Sequence, residues 1–178
     1  MTLTEAIIVK ISHDLAGGIG SFSNTVDLMK MDPSFQQEGL ALLENTGTML
    51  NMRLKFFRAL YGFENKTITS SLVRDYLSTL ACSIQIQGKV TSRLNLAMVA
   101  LGIELLGIEG KIKLDANTMV LTGPEIVCKP DVIRVLMGEK VPYGPENVTA
   151  AWLMNLAQES GKHLTIDEKE SDLVLTIA

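Results

Sequence analysis

The sequence predicts an α+β chain: an N-terminal antiparallel helical hairpin, a four-helix bundle on dimerisation, followed by a small α/β sandwich. Two observations carry this expectation. Apolar residues recur in steps of three and four from Leu3 to Tyr61, with a single break at Asp32-Pro33-Ser34. That spacing is the period of one helix face. Beyond it the pattern changes to short alternating runs such as Ile84-Gln85-Ile86-Gln87, interleaved with helical segments. The expected division is 1–63 for the hairpin and 64–178 for the sandwich, with Phe63-Glu64-Asn65-Lys66 as linker.

The first helix is expected over about 4–31, with Ile8, Ile11, Leu15, Phe22 and Met29 on its seam. This seam leaves His13 on the outer surface of a rod about 40 Å long. Proline disfavours helix for the residue before it and suits the first turn of the next, so Asp32-Pro33 ends one rod and starts another. The second helix, about 34–61, has its seam at Leu40, Leu43, Gly47, Leu50, Leu54, Phe57 and Tyr61, with Gly62 as its stop. Met49, Met52, Phe56 and Leu60 lie beyond that seam. Burying a large apolar side chain contributes about 1.5–3 kcal/mol, and one neighbouring helix covers only one stripe. A second hairpin is the expected cover, giving a homodimer that presents His13 twice. The alternative is the C-terminal part folding back on its own hairpin.

In the C-terminal part, Ser70 or Ser71 caps a helix over about 72–81, and a strand over 84–87 ends at Gly88. Ser92 opens a strongly apolar helix, 94–106, closed at Gly107. Strands over 111–114 and 119–122 join through a turn at Asp115-Ala116-Asn117. A short helix over 130–137 ends at Gly138, a loop spans 142–145, and a helix over 147–159 stops at Gly161. Strands over 163–166 and 173–176 flank a charged turn at 167–172. One sheet with helices on one face accommodates this order.

Composition excludes several classes of function. Hydrophobic residues make up 47% and charged residues 20%, a globular balance, and the net charge of −4 gives no electrostatic case for nucleic acid. Cys82 and Cys128 are too far apart for a CxxC pair, and with only two histidines no zinc site is expected. Reduced thiols in a cytoplasmic protein fit better. No apolar run approaches the roughly 18 residues of a membrane span, and no export signal opens the chain.

His13 stands beside a carboxylate and just ahead of Gly17, Gly18 and Gly20. Glycine in a helix interior costs about 1 kcal/mol, so these three either admit close helix packing or open the surface around the histidine. The run His13-Asp14-Leu15, then Gly18, Ile19, Gly20 and Asn24, then Val26-Asp27-Leu28, resembles the phosphoacceptor helix of histidine phosphotransferases of the ChpT type. These are relatives of histidine kinases that act in bacterial phosphorelays. They follow His-Asp-Leu-x-x-Pro-x-Gly ahead of a small-residue and Asn run. This chain departs from them with Gly18 where proline is common. The downstream order resembles a reduced, degenerate form of the histidine-kinase ATP-binding domain. Residues 93–107 stand where such kinases carry the helix of their magnesium-binding asparagine. The paired-glycine loops for adenine and phosphates are missing: Asp115-Ala116-Asn117 and the lone Gly123, Gly138 and Gly144 form no such cradle.

The resemblance implies a protein histidine phosphotransferase that takes a phosphoryl group from a receiver-domain aspartate onto His13 and passes it to another. Its partners would be receiver domains of a hybrid histidine kinase and of response regulators. It would need no cofactor, the receiver supplying magnesium. The residues fit that chemistry. Imidazole, with a reference pKa of about 6.5, is mostly neutral near pH 7 when exposed. One ring nitrogen attacks, and the other benefits from an acceptor that fixes its proton. Asp14 is the nearest carboxylate in sequence. Adjacent helix positions do not face each other, so its contact with His13 would be oblique or made to the partner. Lys10, one turn earlier, is placed to offset phosphate charge. Ala16, Gly17, Gly20 and Ser21 suit docking of a receiver helix, with Asn24 beyond, and His163 reads as structural or surface. Two rivals stand beside this reading: a non-catalytic dimeric module that binds or sequesters a kinase or response regulator, and an ATP-dependent histidine kinase.

Overall fold

Helix α1 (Leu3–Met31) opens on a reciprocal cap: the Thr2 hydroxyl accepts from the Glu5 amide, and the Glu5 carboxylate accepts from the Thr2 amide. The computed structural model describes residues 1–62, 68–169 and 172–178, so the expected linker lies outside the described residues. After α1, the Asp32 side chain accepts from the Ser34 amide, and Pro33–Phe35 make a single 3₁₀ turn into α2 (Gln36–Tyr61). The expected first turn of the second helix is therefore this tighter turn. Gly18 lies against Leu50 and Met29 against Gly39, so the two helices run antiparallel.

The faces of the hairpin differ from the expected seams. Gly39, Thr46, Leu50, Arg53 and Phe57 turn inward on α2, while Leu40 and Leu54 are 55% and 44% exposed. On α1 the inward stripe is Ala6, Lys10, Asp14, Gly18, Thr25 and Met29, and Ile8 and Phe22 face outward. The physical reason is volume. Small residues at the crossing let the two backbones approach closely, and the larger apolar side chains flank the contact. Thr25 pays no polar penalty there, because its hydroxyl donates to the Ser21 carbonyl at 2.9 Å.

Helix α3 (Ser70–Leu77) follows Thr69 and stops short of residue 81, because 78–81 form tight turns. Then come β1 (Ser83–Gln87), α4 (Arg93–Leu106), β2 (Glu109–Asp115), β3 (Thr118–Thr122), α5 (Pro130–Leu136), α6 (Val148–Glu159), β4 (Leu164–Lys169) and β5 (Asp172–Ile177). The sheet order is β1-β2-β3-β5-β4, parallel only between β1 and β2, which α4 links as a crossover. The charged turn is narrower than expected, since Glu168 already pairs with Leu173. Ser92 caps α4 through the Asn95 amide, and Gly107, at φ 66°, ends it in a conformation that glycine adopts without strain.

One face of the sheet, with Ile112, Leu114, Met119, Leu121, Leu173 and Leu175, packs on α4. Gln85, Gln87, Lys111 and Lys113 face solvent on the other, so the helices lie on one side as expected. Helix α4 is apolar nearly all round because it is covered nearly all round, by the sheet, α6 and α2, with Glu104 on its open side. The same core takes in Phe56, Phe57, Leu60 and Tyr61 from the end of α2. Phe56 stacks on Tyr76 with centroids 3.9 Å apart, and Trp152 Nε1 donates to the Leu60 carbonyl at 2.8 Å. Phe56 and Leu60, expected to face a second hairpin, are thus buried by the chain's own C-terminal part. The alternative cover holds at this end. At the other end Ile19, Phe22, Leu28, Leu40 and Leu42 remain exposed. Among the described residues, no helix is long and apolar enough to cross a membrane.

Candidate functional site

The α1 turn that carries His13 faces the α/β part across a cleft of about 630 Å³, whose lining includes Glu104, Val127 and Lys129. The imidazole is 82% exposed, in keeping with the outward position expected for it. Its Nδ1 lies 3.2 Å from Asp14 Oδ1. Helix side chains lean toward the N-terminus, so the Asp14 carboxylate reaches back over the preceding turn and meets both His13 and Lys10. The contact is the oblique one, made within the chain.

The other Asp14 oxygen, Oδ2, takes the Lys10 ammonium at 3.1 Å, and the same ammonium lies 3.1 Å from Glu104 Oε1 on α4. Glu104 Oε1 also accepts from Thr149 Oγ1 on α6 at 2.8 Å, and Tyr61 Oη lies 3.2 Å from that hydroxyl. Thr149 gives its proton to Glu104, so Tyr61 donates to Thr149. Arg53 clamps the other side of the turn: Nη1 donates to the Asp14 carbonyl at 3.0 Å, while Nε and Nη2 donate to Thr79. Burial works against the Lys10 ammonium, but the Glu104 and Asp14 carboxylates outweigh it and hold its pKa above the ordinary lysine value. With 16% of its side chain exposed, Lys10 is an ammonium held between two carboxylates.

The three glycines divide by position. A Cβ on Gly18 would lie 2.6 Å from Leu50 Cδ2, whereas one on Gly17 or Gly20 would meet nothing within 4 Å. Gly18 therefore admits close packing, and the other two keep the surface low beside His13. Ala16, Gly20, Ser21 and Asn24 are exposed with Gly17 on α1. His163 stands apart from this group, its backbone paired with Ala178 beside β4.

The sequence reading missed Glu104, Arg53, Thr149 and Tyr61 as parts of the site. One signal was available: Glu104 is the single charge in the apolar run from Leu94 to Leu106. On the nucleotide question, Asn95 is 6% exposed. It donates to the Ala116 carbonyl at 3.0 Å and accepts from Thr91 Oγ1 at 3.2 Å, pinning α4 to the β2–β3 turn. Among the described residues, no three His, Cys, Asp or Glu side chains gather as metal ligands.

No protein-family profile and no curated protein matches the chain. Among solved structures, it is similar to a bacterial phosphotransferase at 18% identity and a TM-score of 0.80, over 99% of this chain and 95% of that one. It is also similar to the Acinetobacter baumannii histidine kinase AdeS at 14% identity, over 93% of this chain and 95% of that one, with a TM-score of 0.39. That score is too low to carry an argument. The first similarity establishes that this chain has the fold of that phosphotransferase along nearly its whole length, helical hairpin and α/β part together.

Proposed function

We propose that the protein is a histidine phosphotransferase of a bacterial phosphorelay, with His13 as its phosphoacceptor. The observation that carries the reading is the 3.2 Å contact from His13 Nδ1 to Asp14 Oδ1 on a ring otherwise open to solvent. An acceptor at Nδ1 keeps the proton there and leaves the Nε2 lone pair facing outward. Nε2 then forms a bond to phosphorus as the bond to a receiver aspartate oxygen breaks, and that carboxylate leaves with the electron pair. Asp14 offsets the positive charge that develops on the ring. Transfer to a second receiver is the reverse step. The shared fold with a bacterial phosphotransferase supports the transferase class.

The rest of the reading follows. Transfer rests on in-line positioning across a transient interface, and the receiver brings the magnesium, so the chain needs no cofactor of its own. Receiver domains of a hybrid histidine kinase and of response regulators dock along Gly17, Gly20, Ser21 and Asn24. A second copy covers the exposed apolar residues of the hairpin, giving a cytoplasmic homodimer whose 1–63 hairpin does the chemistry and whose 64–178 part binds no ATP.

The test is incubation with a phosphorylated receiver, followed by detection of acid-labile label. His13→Ala and His13→Gln should melt like the wild type, as substitutions at exposed positions usually do, and accept no label. His163→Ala should accept it normally. Asp14→Asn keeps the shape and loses the charge. Transfer should slow roughly ten- to a hundredfold, the equivalent of one charge-assisted hydrogen bond of about 1.5–3 kcal/mol. Label persisting on folded His13→Ala protein, or a wild type that no receiver labels, would favour the non-catalytic module.

A further inference from the structure

We propose that Glu104 is a positioning residue of the His13 site: through Lys10 it holds the Asp14 carboxylate where that carboxylate accepts from the imidazole. The inference rests on the phosphotransfer reading for its effect on rate, but its geometry stands independently. Lys10 and Asp14 are one helical turn apart on α1, and an ammonium left with only that carboxylate would draw both oxygens toward itself. Glu104, 3.1 Å from the same Nζ, shares the ammonium, so Lys10 holds Oδ2 alone and Oδ1 stays on His13. Glu104 is itself fixed by the Thr149 hydroxyl and, behind it, Tyr61. Three helices, α2, α4 and α6, thereby set the position of one carboxylate oxygen on α1.

Stability alone gives little reason for this arrangement. Glu104 faces the cleft with 32% of its side chain exposed, and an ion pair open to solvent contributes little; every other residue of α4 from Leu94 to Leu106 is uncharged. What the carboxylate adds is direction. It ties the histidine turn to the α/β part, which Arg53 also grips through the Asp14 carbonyl and Thr79. The α/β part thus serves as the fixed wall of the site.

The experiment uses the full chain labelled with ¹⁵N-histidine, which reports on only two imidazoles, His13 and His163. At alkaline pH the wild-type His13 should show the Nδ1–H tautomer. Folded Glu104→Gln protein should shift toward the Nε2–H form that unconstrained histidine prefers, with His163 unchanged. Transfer from a phosphorylated receiver should fall on the order of ten- to a hundredfold, the usual result of misplacing a reacting group by about 1 Å. Glu104→Asp, which keeps the charge, should recover part of the loss, and in an Asp14→Asn background Glu104→Gln should add nothing. Should Glu104→Gln not fold, Thr149→Val, which frees the Glu104 carboxylate from α6 and keeps the side-chain shape, should give the same shift in smaller measure. An unchanged His13 tautomer in either folded variant, or losses additive with Asp14→Asn, would overturn the proposal. A wild type that takes no label refutes the phosphotransfer reading instead and leaves the tautomer comparison as the test of this one.

Discussion

Gly17, Gly18 and Gly20 have the same residue type within one turn, yet alanine should act on them in opposite directions. None of them has positive φ, so none is required by the backbone. Each should therefore cost the helix about 0.8–1.0 kcal/mol relative to alanine. At Gly17 and Gly20 a Cβ meets nothing within 4 Å, so alanine should recover most of that, stabilising by about 0.5–1 kcal/mol each. At Gly18 the new Cβ would lie 2.6 Å from Leu50 Cδ2 and 3.1 Å from its Cγ. Leu50 must then shift against the inner face of the hairpin. Overpacking of this kind costs about 1–3 kcal/mol, which at the least cancels the propensity gain. Gly18→Ala should be neutral to about 2 kcal/mol destabilising. Urea unfolding at one fixed protein concentration measures the difference. In a thermal scan 1 kcal/mol corresponds to about 2–4 °C for a chain of this size. Gly18→Ala stabilising as much as Gly17→Ala, or Gly17→Ala clearly destabilising, would refute the division of roles. The functional counterpart is Gly20→Leu, which should fold and yet slow transfer by crowding the face beside His13.

Three further outcomes are expected. Leu54→Asp should dissociate the proposed dimer without unfolding the chain, because Leu54 is 44% exposed; Leu50→Asp should unfold it, because Leu50 packs on Gly18 inside the hairpin. Light scattering combined with circular dichroism separates the two, and a wild-type monomer at micromolar concentration would remove the basis for the dimer. Burial pushes the Tyr76 phenol up to about 12, and burial pushes Tyr61 up as well, against the pull of its Thr149 hydrogen bond. A folded pKa above the unfolded value of about 10 means a contribution to stability that is full below pH 10 and lost as pH rises toward the folded value. Phenolate absorbance of these two should therefore appear together with loss of structure, and ionisation of Tyr76 near pH 10 in folded protein would contradict the burial argument. Trp152→Phe should destabilise by about 1–3 kcal/mol, since the Leu60 carbonyl at the end of α2 loses its buried donor. Denaturant unfolding followed by circular dichroism reads that loss, and an unchanged midpoint would mean the carbonyl finds another partner.

What the amino-acid sequence determined by itself was local: most of the helix and strand boundaries, and the outward position of His13. Asp32-Pro33, Ser92, Gly107 and Gly138 mark element ends through backbone restriction and capping, which need no distant partner. His13 on the outside of α1 was legible for the same reason, since a stripe of helical period has a back. Which stripe faces which neighbour was not. Both hairpin helices carry apolar residues over a wide arc, so steps of three and four fit more than one seam. The contact went to the small residues Ala6, Gly18, Thr25, Gly39 and Thr46, because only they let the backbones close. The assignment of Phe56 and Leu60 depended likewise on a core assembled from residues far along the chain. Least legible was the link behind Asp14. Glu104 could be seen as a lone charge in an apolar helix, but its partner is a lysine 3.1 Å away across the fold, on α1. Local sequence sets periodicity and caps; an ion pair between α1 and α4 exists only once tertiary packing has brought the two helices together.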